Sequence, residues 1–245
     1  MSSIGIDIGS TYTKYCVLDG GSIKLLSSER TPVRQKEYFE KKTSELLAQY
    51  PGSNIVSCGY GRNNAGSGKT VSELVALAAG AGMVSPDHNV VLDIGGQDTK
   101  IIVCENGKLK EFFVNDKCAA GCGMFVVNTL NLLQMDFSDI SLEGADHPDV
   151  KLSSTCAVFA QSEITELIAD NCLPDDILKG VIWQILVQSK GLLGKVRTDK
   201  ILFTGGLTRI PGIERYASSV FGMPVTIPEH SVYLSAIGSA IIASN

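Results

Sequence analysis

The chain has 245 residues, 44% of them hydrophobic and 19% charged, and its 21 basic and 26 acidic side chains give a net charge of −5. A chain this apolar is not intrinsically disordered, and its negative charge gives it no general attraction to nucleic acid or to an anionic membrane. No apolar run approaches the roughly 20 residues that span a bilayer, and no secretory signal opens the chain, so we expect a cytoplasmic protein.

The first part of the chain predicts three short strands joined by glycine turns, followed by two helices around a fourth strand. Gly9 and the pair Gly20–Gly21 mark the turns, because glycine accepts the backbone angles that tight hairpins require. Residues 36–50 are rich in helix formers, whereas 71–83 are mostly small and apolar. We predict strands at 3–7, 13–19, 22–28 and 54–58, and helices at 36–50 and 71–83.

The opening pattern returns in the second part, where a strand ends on Asp93 as the first strand ends on Asp7. A repeated supersecondary unit indicates two homologous lobes, which we place at 1–86 with 229–245 and at 87–228. The remaining predicted elements are strands at 89–93, 100–104, 109–114 and 201–204, and helices at 119–134, 157–169, 175–195, 211–220 and 232–243.

Each aspartate is followed by a glycine-rich turn, Gly9-Ser10-Thr11-Tyr12 (the first turn) or Gly95-Gly96-Gln97-Asp98 (the second turn). Backbone N–H groups of such turns can cradle phosphate oxygens, and the preceding carboxylate can hold a hydrated Mg²⁺. A third segment, Gly205–Arg209, again follows a strand with paired glycines. One such turn would indicate no more than a hairpin, but the three together predict a nucleotide site.

The segment Gly66–Thr70 resembles the end of a P-loop. That motif requires a glycine five residues before Gly68, where the chain has Asn63. We therefore assign no phosphate site to it.

The three glycine segments resemble the phosphate-1, phosphate-2 and adenosine motifs of the actin, sugar-kinase and heat-shock-chaperone ATPase superfamily. The resemblance implies an α/β fold with two ribonuclease-H-like lobes and a nucleotide cleft between them. It implies that Asp7, Asp93 and Glu73 organise Mg²⁺ through water, although Glu73 could instead complement a helix N-terminus. The residues implied to place the attacking water are Gln97 or Asp98, and those implied to contact ATP or ADP are Gly9, Ser10, Thr11, Tyr12, Gly95, Gly96, Gln97, Asp98, Gly205, Gly206 and Arg209.

Seven cysteines are present, and no C-x-x-C pair occurs among them. Three lie within predicted strands and are expected in the core: Cys16, Cys58 and Cys104. Cys118 and Cys156 lie at predicted helix starts, where the helix dipole stabilises an anionic sulfur or cluster, although small packed residues are the plainer alternative. Two thiolates are half of a four-thiolate cluster site, which a symmetric dimer would complete.

The segments 115–121 and 154–160 resemble the two cysteine motifs of the 2-hydroxyacyl-CoA dehydratase activators, a family that includes benzoyl-CoA reductase ATPase subunits. The resemblance implies a homodimer with one [4Fe-4S] cluster, held by Cys118 and Cys156 of both chains. It implies that ATP hydrolysis drives a low-potential electron into an iron–sulfur dehydratase or reductase, with reduced ferredoxin or flavodoxin as the donor. Cys122 stands where that family usually has threonine, four residues after Cys118 and on the same helical face. It could approach the cluster, but we expect it to pack beneath the cluster instead.

Two other functions explain the nucleotide motifs. The first is a small-molecule kinase of the same superfamily, and the second is a regulatory ATPase without redox chemistry. Neither of them explains the positions of Cys118 and Cys156.

Overall fold

The computed structural model describes residues 2–66, 68–115, 119–154 and 156–244. Their contacts divide the chain into two compact units. One unit comprises Met1–Asn89, Ile102–Glu111 and Glu229–Asn245, and the other comprises Val90–Ile101 and Phe112–Pro228. Cys118, which we predicted as a cluster ligand, lies outside the described residues.

The first sheet has the order β3-β2-β1-β4-β5, in which β1 to β3 form an antiparallel meander and β4 and β5 run parallel to β1. The meander turns at Gly20 and Gly21, which both have positive φ angles, so the glycines are needed there. The strands are β1 Ser2–Ile8, β2 Tyr12–Asp19, β3 Ser22–Arg30, β4 Asn54–Cys58 and β5 Lys69–Thr70, and the helices of this unit are α1 Gln35–Gln49, α2 Glu73–Val84 and α7 Leu234–Ser244.

The second sheet has the order β10-β9-β6-β7-β8, with β9 parallel to β6 and β10 parallel to β9. Read from the other edge, this order matches that of the first sheet strand for strand, so the predicted internal repeat is confirmed in the topology. The strands are β6 Val90–Ile94, β7 Thr99–Glu105, β8 Lys108–Asn115, β9 Ile201–Gly205 and β10 Val225–Thr226, and the helices are α3 Gly123–Leu133, α4 Ala157–Ala169, α5 Pro174–Leu193 and α6 Ile213–Phe221.

Strand β1 is buried on both faces, and its alternation separates two kinds of packing. Ile4, Ile6 and Ile8 join Phe39 and Leu46 of α1 in one apolar cluster. The other face carries Gly5 and Asp7. A Cβ on Gly5 would lie 1.9 Å from a backbone oxygen of α7, so this helix reaches the sheet only where a side chain is missing.

Small residues also let α2 and α7 approach each other. A Cβ on Gly80 would lie 2.0 Å from the Leu234 carbonyl oxygen, and one on Gly238 would lie 1.7 Å from the Ala76 carbonyl oxygen. This close contact explains why the segment predicted as a helix of small apolar residues has that composition.

The structure corrects the sequence prediction for the helix at 119–134. Its α-helical part begins at Gly123, after a 3₁₀ turn at Ala119–Gly121, and Cys122 is the N-cap with extended backbone angles, φ −143° and ψ 170°. Residues 119–122 therefore do not form the α-helical turn that the expected shared face of Cys118 and Cys122 requires. Flanking glycines disfavour an earlier helical turn.

The short strands β5 and β10 were not predicted, because two residues carry no hydrophobic period. No helix in the described part of the chain combines the length and the apolar character that crossing a bilayer requires.

Candidate functional site

The first turn follows a buried ion pair at the end of β1. Asp7 is 4% exposed, and Lys14, its register partner on β2, places Nζ 3.1 Å from Asp7 Oδ2. The turn itself is closed by a hydrogen bond from the Gly9 N–H to the Tyr12 carbonyl, and the Thr31 hydroxyl donates to the Gly9 carbonyl at 2.8 Å. Burying a carboxylate is costly unless it is paired, and Lys14 supplies that partner for Asp7.

The second turn repeats this arrangement. Lys100 Nζ lies 3.3 Å from Asp93 Oδ2 and 2.6 Å from Asp98 Oδ1, and all three side chains are buried. The Gly95 N–H donates to the Asp98 carbonyl at 2.9 Å, which closes the turn. Gln97 is exposed between them, so of the two residues predicted to place water it is the one that faces outward.

The two lysines escaped the sequence analysis, although a signal was present. Each follows its aspartate by the same spacing in both copies of the repeat, from Asp7 to Lys14 and from Asp93 to Lys100. In a hairpin that spacing returns a side chain to the position opposite the aspartate. A lysine at this point can neutralise a bound phosphate as well as the carboxylate.

A glycine at the carboxyl end of the neighbouring parallel strand packs against each aspartate, Gly59 directly after β4 and Gly205 as the last residue of β9. Gly59 has φ +86°, and a Cβ there would lie 2.7 Å from Asp7 Oδ1, while Gly205 has φ +98°, and a Cβ there would lie 2.9 Å from Asp93 Oδ1. The predicted third segment thus has a counterpart in the first sheet, which the sequence analysis did not identify. Of the other residues of the third segment predicted to contact ATP or ADP, Gly206 has no heavy atom within 4 Å of a built Cβ, and Arg209 lies over the Phe137 ring at 5.8 Å.

Glu73 is the first residue of α2, whose N-cap Ser72 accepts a hydrogen bond from the Val75 N–H. Its charge also acts on the Cys58 thiol, close to Asp7. Burial raises the pKa of the Cys58 thiol well above its usual range, and the charges of Asp7 and Glu73 raise it further. The position is therefore compatible with both predicted roles, at the helix N-terminus and near the Mg²⁺ carboxylates.

The three cysteines predicted for the core, Cys16, Cys58 and Cys104, are buried. Cys122 is also buried, at 1% exposure, in keeping with a packing role. Cys156 differs, because its thiol is exposed at the N-cap position of α4. Among described cysteines it is thus the one that combines exposure with a helix N-terminus.

Cys156 itself takes the N-cap position of α4, and the serines before it do not. The Cys156 carbonyl accepts the Ala160 N–H at 2.9 Å, while its side chain makes no capping hydrogen bond. Ser153 and Ser154 instead bind the Glu163 carboxylate, through backbone N–H donors at 2.7 and 3.1 Å. Glu163 therefore fixes the segment that leads into Cys156.

Among the described residues, Cys156 is the one predicted cluster ligand. Within residues 2–66, 68–115, 119–154 and 156–244, no group of three or more His, Cys, Asp or Glu side chains is arranged to hold a metal ion. An exposed thiolate at a helix N-terminus suits an iron–sulfur cluster, whose negative charge the free N–H groups stabilise. The remaining thiolates would come from Cys118 and from a second chain.

Glu163→Gln is expected to weaken the hydrogen bonds that hold Ser153 and Ser154 in place before Cys156. Burial raises the pKa of Glu163, but the hydrogen bonds from Ser153 and Ser154 outweigh it, so the pKa lies below its ordinary value of 4.5. The carboxylate therefore stabilises the segment in full above that value, and the stabilisation is lost as pH falls through the lowered pKa. We expect about tenfold less protection of the Ser153 and Ser154 amides in Glu163→Gln, measured by hydrogen exchange.

The control for this prediction is Glu166→Gln, which changes an exposed glutamate on the same helix. It should leave protection of the serine amides unchanged. Equal protection in wild type and Glu163→Gln would show that the carboxylate does not hold the segment.

Comparison with known proteins places these observations in a context. The sequence pattern of the BadF/BadG/BcrA/BcrD ATPase family matches residues 4–243. The (R)-2-hydroxyglutaryl-CoA dehydratase activating ATPase of Acidaminococcus fermentans is 32% identical over 250 residues, which cover 98% of this chain and 96% of that protein.

Two solved structures extend the comparison. The activator of the 2-hydroxyisocaproyl-CoA dehydratase from Clostridium difficile with bound ADPNP has a TM-score of 0.87 at 30% identity, covering 99% of this chain and 94% of that chain. A ROK family glucokinase from Streptomyces griseus in complex with glucose and AMPPNP has a TM-score of 0.59 at 13% identity, covering 100% of this chain and 99% of the other, which is a similarity of fold alone. The predicted α/β fold class of two-lobed, actin-like ATPases is thereby confirmed.

Proposed function

The chain belongs to the BadF/BadG/BcrA/BcrD ATPase family and is an ATPase, and from this premise we propose that it activates a partner iron–sulfur enzyme by ATP-driven electron transfer. The electron carrier in this proposal is a [4Fe-4S] cluster that bridges two copies of the chain. The partner is a 2-hydroxyacyl-CoA dehydratase or a related reductase, in keeping with the names of its relatives. Reduced ferredoxin or flavodoxin is the proposed donor.

Nucleotide binding in this proposal rests on the two turns and their lysines. Backbone N–H groups of the turns bind phosphate oxygens, and Lys14 and Lys100 neutralise phosphate charge. Asp7 and Asp93 would hold a hydrated Mg²⁺, which would supply positive charge to the phosphates when bound. Gln97 orients the attacking water. Phosphoryl transfer needs mainly such positioning and charge neutralisation, which these residues are suited to provide.

The observation that carries the redox part is the exposed thiol of Cys156 at the N-cap of α4. A core residue would be buried there, as Cys16, Cys58 and Cys104 are. A cluster held by Cys156 and Cys118 of two chains would supply the protein with a one-electron carrier. The helix N-terminus would stabilise its charge, and Glu163 would hold the segment before Cys156 in place.

A redox titration tests the coupling of nucleotide to electron transfer. Protein reconstituted anaerobically is titrated by visible absorbance, once with Mg–ADP and once with Mg²⁺ and a non-hydrolysable ATP analogue. If ATP drives the electron, the two midpoint potentials differ, and about 59 mV corresponds to a tenfold change in the one-electron equilibrium. Identical potentials in the two nucleotide states, with both nucleotides bound, would contradict the proposed coupling.

A further inference from the structure

Three hydrogen bonds join the second turn to the start of α3. Thr99 directly follows the turn, and its hydroxyl donates to the Gly121 carbonyl. The Gly123 N–H donates to the Gly95 carbonyl at 2.9 Å, and the Met124 N–H donates to the Gly96 carbonyl at 2.8 Å. These are the first N–H groups of the helix, which have no partner within it. The helix start therefore takes its hydrogen bonds from the phosphate-binding turn.

This junction is tightly packed. Thr99 is 1% exposed, and a Cβ on Gly123 would lie 3.0 Å from the Gly95 carbonyl oxygen. On the other side of the segment, a Cβ on Gly121 would lie 2.7 Å from Asn115 Nδ2. Because neither side of the segment Gly121–Met124 leaves room for an added carbon atom, its packing is tight. A shift of the second turn must therefore either move Gly121–Met124 with it or break buried hydrogen bonds.

The same segment is linked covalently to a predicted cluster ligand. Cys118 precedes Gly121 by three residues, and three extended residues span at most about 11 Å. Because so few residues separate the two, we expect a displacement of Gly121 to change the position of Cys118.

Among the described residues, the hydroxyl of the corresponding threonine in the first copy of the repeat makes no hydrogen bond of this kind. The bond from Thr99 to Gly121 is therefore not a feature of the fold that the two copies share. Thr13 is the counterpart of Thr99, and its hydroxyl lies 3.0 Å from the Thr31 hydroxyl. Thr31 in turn donates to Gly9, so the hydrogen bonds around Thr13 close within the β1–β3 meander. Only in the second copy does the threonine bind a segment that continues from a cysteine motif.

We propose that Thr99 is a positioning residue that transmits the nucleotide state of the second turn to Gly121–Met124 and hence to Cys118. This inference rests on the proposed function, because it requires phosphate at Gly95 and Gly96. A nucleotide that contacts the turn differently as ATP and as ADP favours one placement of the helix start over another, and the coupling is equal in both directions.

The test compares Thr99→Val, which removes the hydroxyl at nearly constant volume, with Thr99→Ser, which retains it. The control is Thr129→Val, since Thr129 is equally buried on α3 but donates to Phe125 and not to the turn. In metal-free protein, hydrogen exchange of residues 119–126 and iodoacetamide alkylation of Cys118 are measured by peptide mass spectrometry. Each is recorded with Mg–ADP and with Mg²⁺ plus the ATP analogue.

In wild type we expect the two nucleotide states to differ in Cys118 alkylation by about fivefold. The ratio should fall to about one in Thr99→Val, at a nucleotide affinity within about threefold of wild type, and should persist in Thr99→Ser and in Thr129→Val. A ratio retained by Thr99→Val, or lost equally in Thr129→Val, would overturn the inference, as would a wild type with no nucleotide effect. A wild type that binds neither nucleotide would instead refute the proposed function itself.

Discussion

Replacing Lys100 with methionine is expected to reduce ATP hydrolysis by at least about a hundredfold. Lys100 Nζ is the cation between Asp93 and Asp98, at 3.3 and 2.6 Å, and all three side chains are buried. The substitution removes the positive charge beside the second turn. The buried carboxylates of Asp93 and Asp98 then lose their lysine partner. Losing one partner of a buried ion pair destabilises a protein by about 3–5 kcal/mol, so stability should also fall.

Two further variants separate the loss of activity from the loss of stability. Lys110→Met removes a lysine whose ion pair with Glu105 is exposed, and it should leave stability nearly unchanged because exposed ion pairs contribute little. Adding Asp98→Asn to Lys100→Met removes one uncompensated charge, so it should recover part of the stability but none of the ATPase activity. Activity is measured by phosphate release, and stability by urea denaturation. ATP hydrolysis at the wild-type rate in folded Lys100→Met would exclude Lys100 from the site.

The second large effect is expected from Gly238→Ala, which should destabilise the protein by about 3 kcal/mol. The added Cβ would lie 1.7 Å from the Ala76 carbonyl oxygen and 2.7 Å from the Gly80 nitrogen. Both atoms belong to the backbone of α2, so the clash cannot be relieved by rotating a side chain. The helices must separate, which opens the contact that holds α7 against the first sheet.

The matched control is Gly191→Ala, a glycine in α5 with no heavy atom within 4 Å of its built Cβ. Alanine is a better helix former than glycine, so this variant should be as stable as wild type or more stable by up to about 1 kcal/mol. Urea midpoints of the two variants measure the difference. Equal midpoints would mean that α2 and α7 can move apart freely.

The repeat and the family could be predicted from sequence because their signals are local. Asp7 and Asp93 each end an apolar strand before a glycine-rich turn, and this pattern requires no knowledge of distant contacts. The resemblance to the dehydratase activators, drawn from the segments around Cys118 and Cys156, is confirmed by the family match over residues 4–243.

What the sequence analysis missed depends on contacts between elements. The spacing from Asp93 to Lys100 is repeated in the first copy, but the contacts of Lys100 are seen only once β7 lies beside β6. The packing of Gly59 against Asp7 is likewise seen only once β4 lies beside β1. The start of α3 was predicted too early because its first N–H groups are satisfied by Gly95 and Gly96, which lie far away in sequence. Helix propensity takes no account of acceptors that lie far away in sequence, so it predicts the first residue of α3 poorly.

The role of Glu163 was equally hidden. Serines before a helix are usually its caps, and no local pattern assigns their N–H groups to a carboxylate that follows in α4. The structure shows both Ser153 and Ser154 bound to that carboxylate. The predicted nucleotide contacts and the predicted cluster ligands remain predictions. Each can be tested by substituting a single residue.

The iron content of protein purified and reconstituted without oxygen tests the central claim most directly. Wild type should carry about four iron and four sulfide per two chains. Cys156→Ala should carry none while it still binds ATP, and Cys172→Ala, which removes a partly exposed thiol elsewhere, should keep the full complement. Iron-free wild type, or a cluster that persists in Cys156→Ala, would contradict the account.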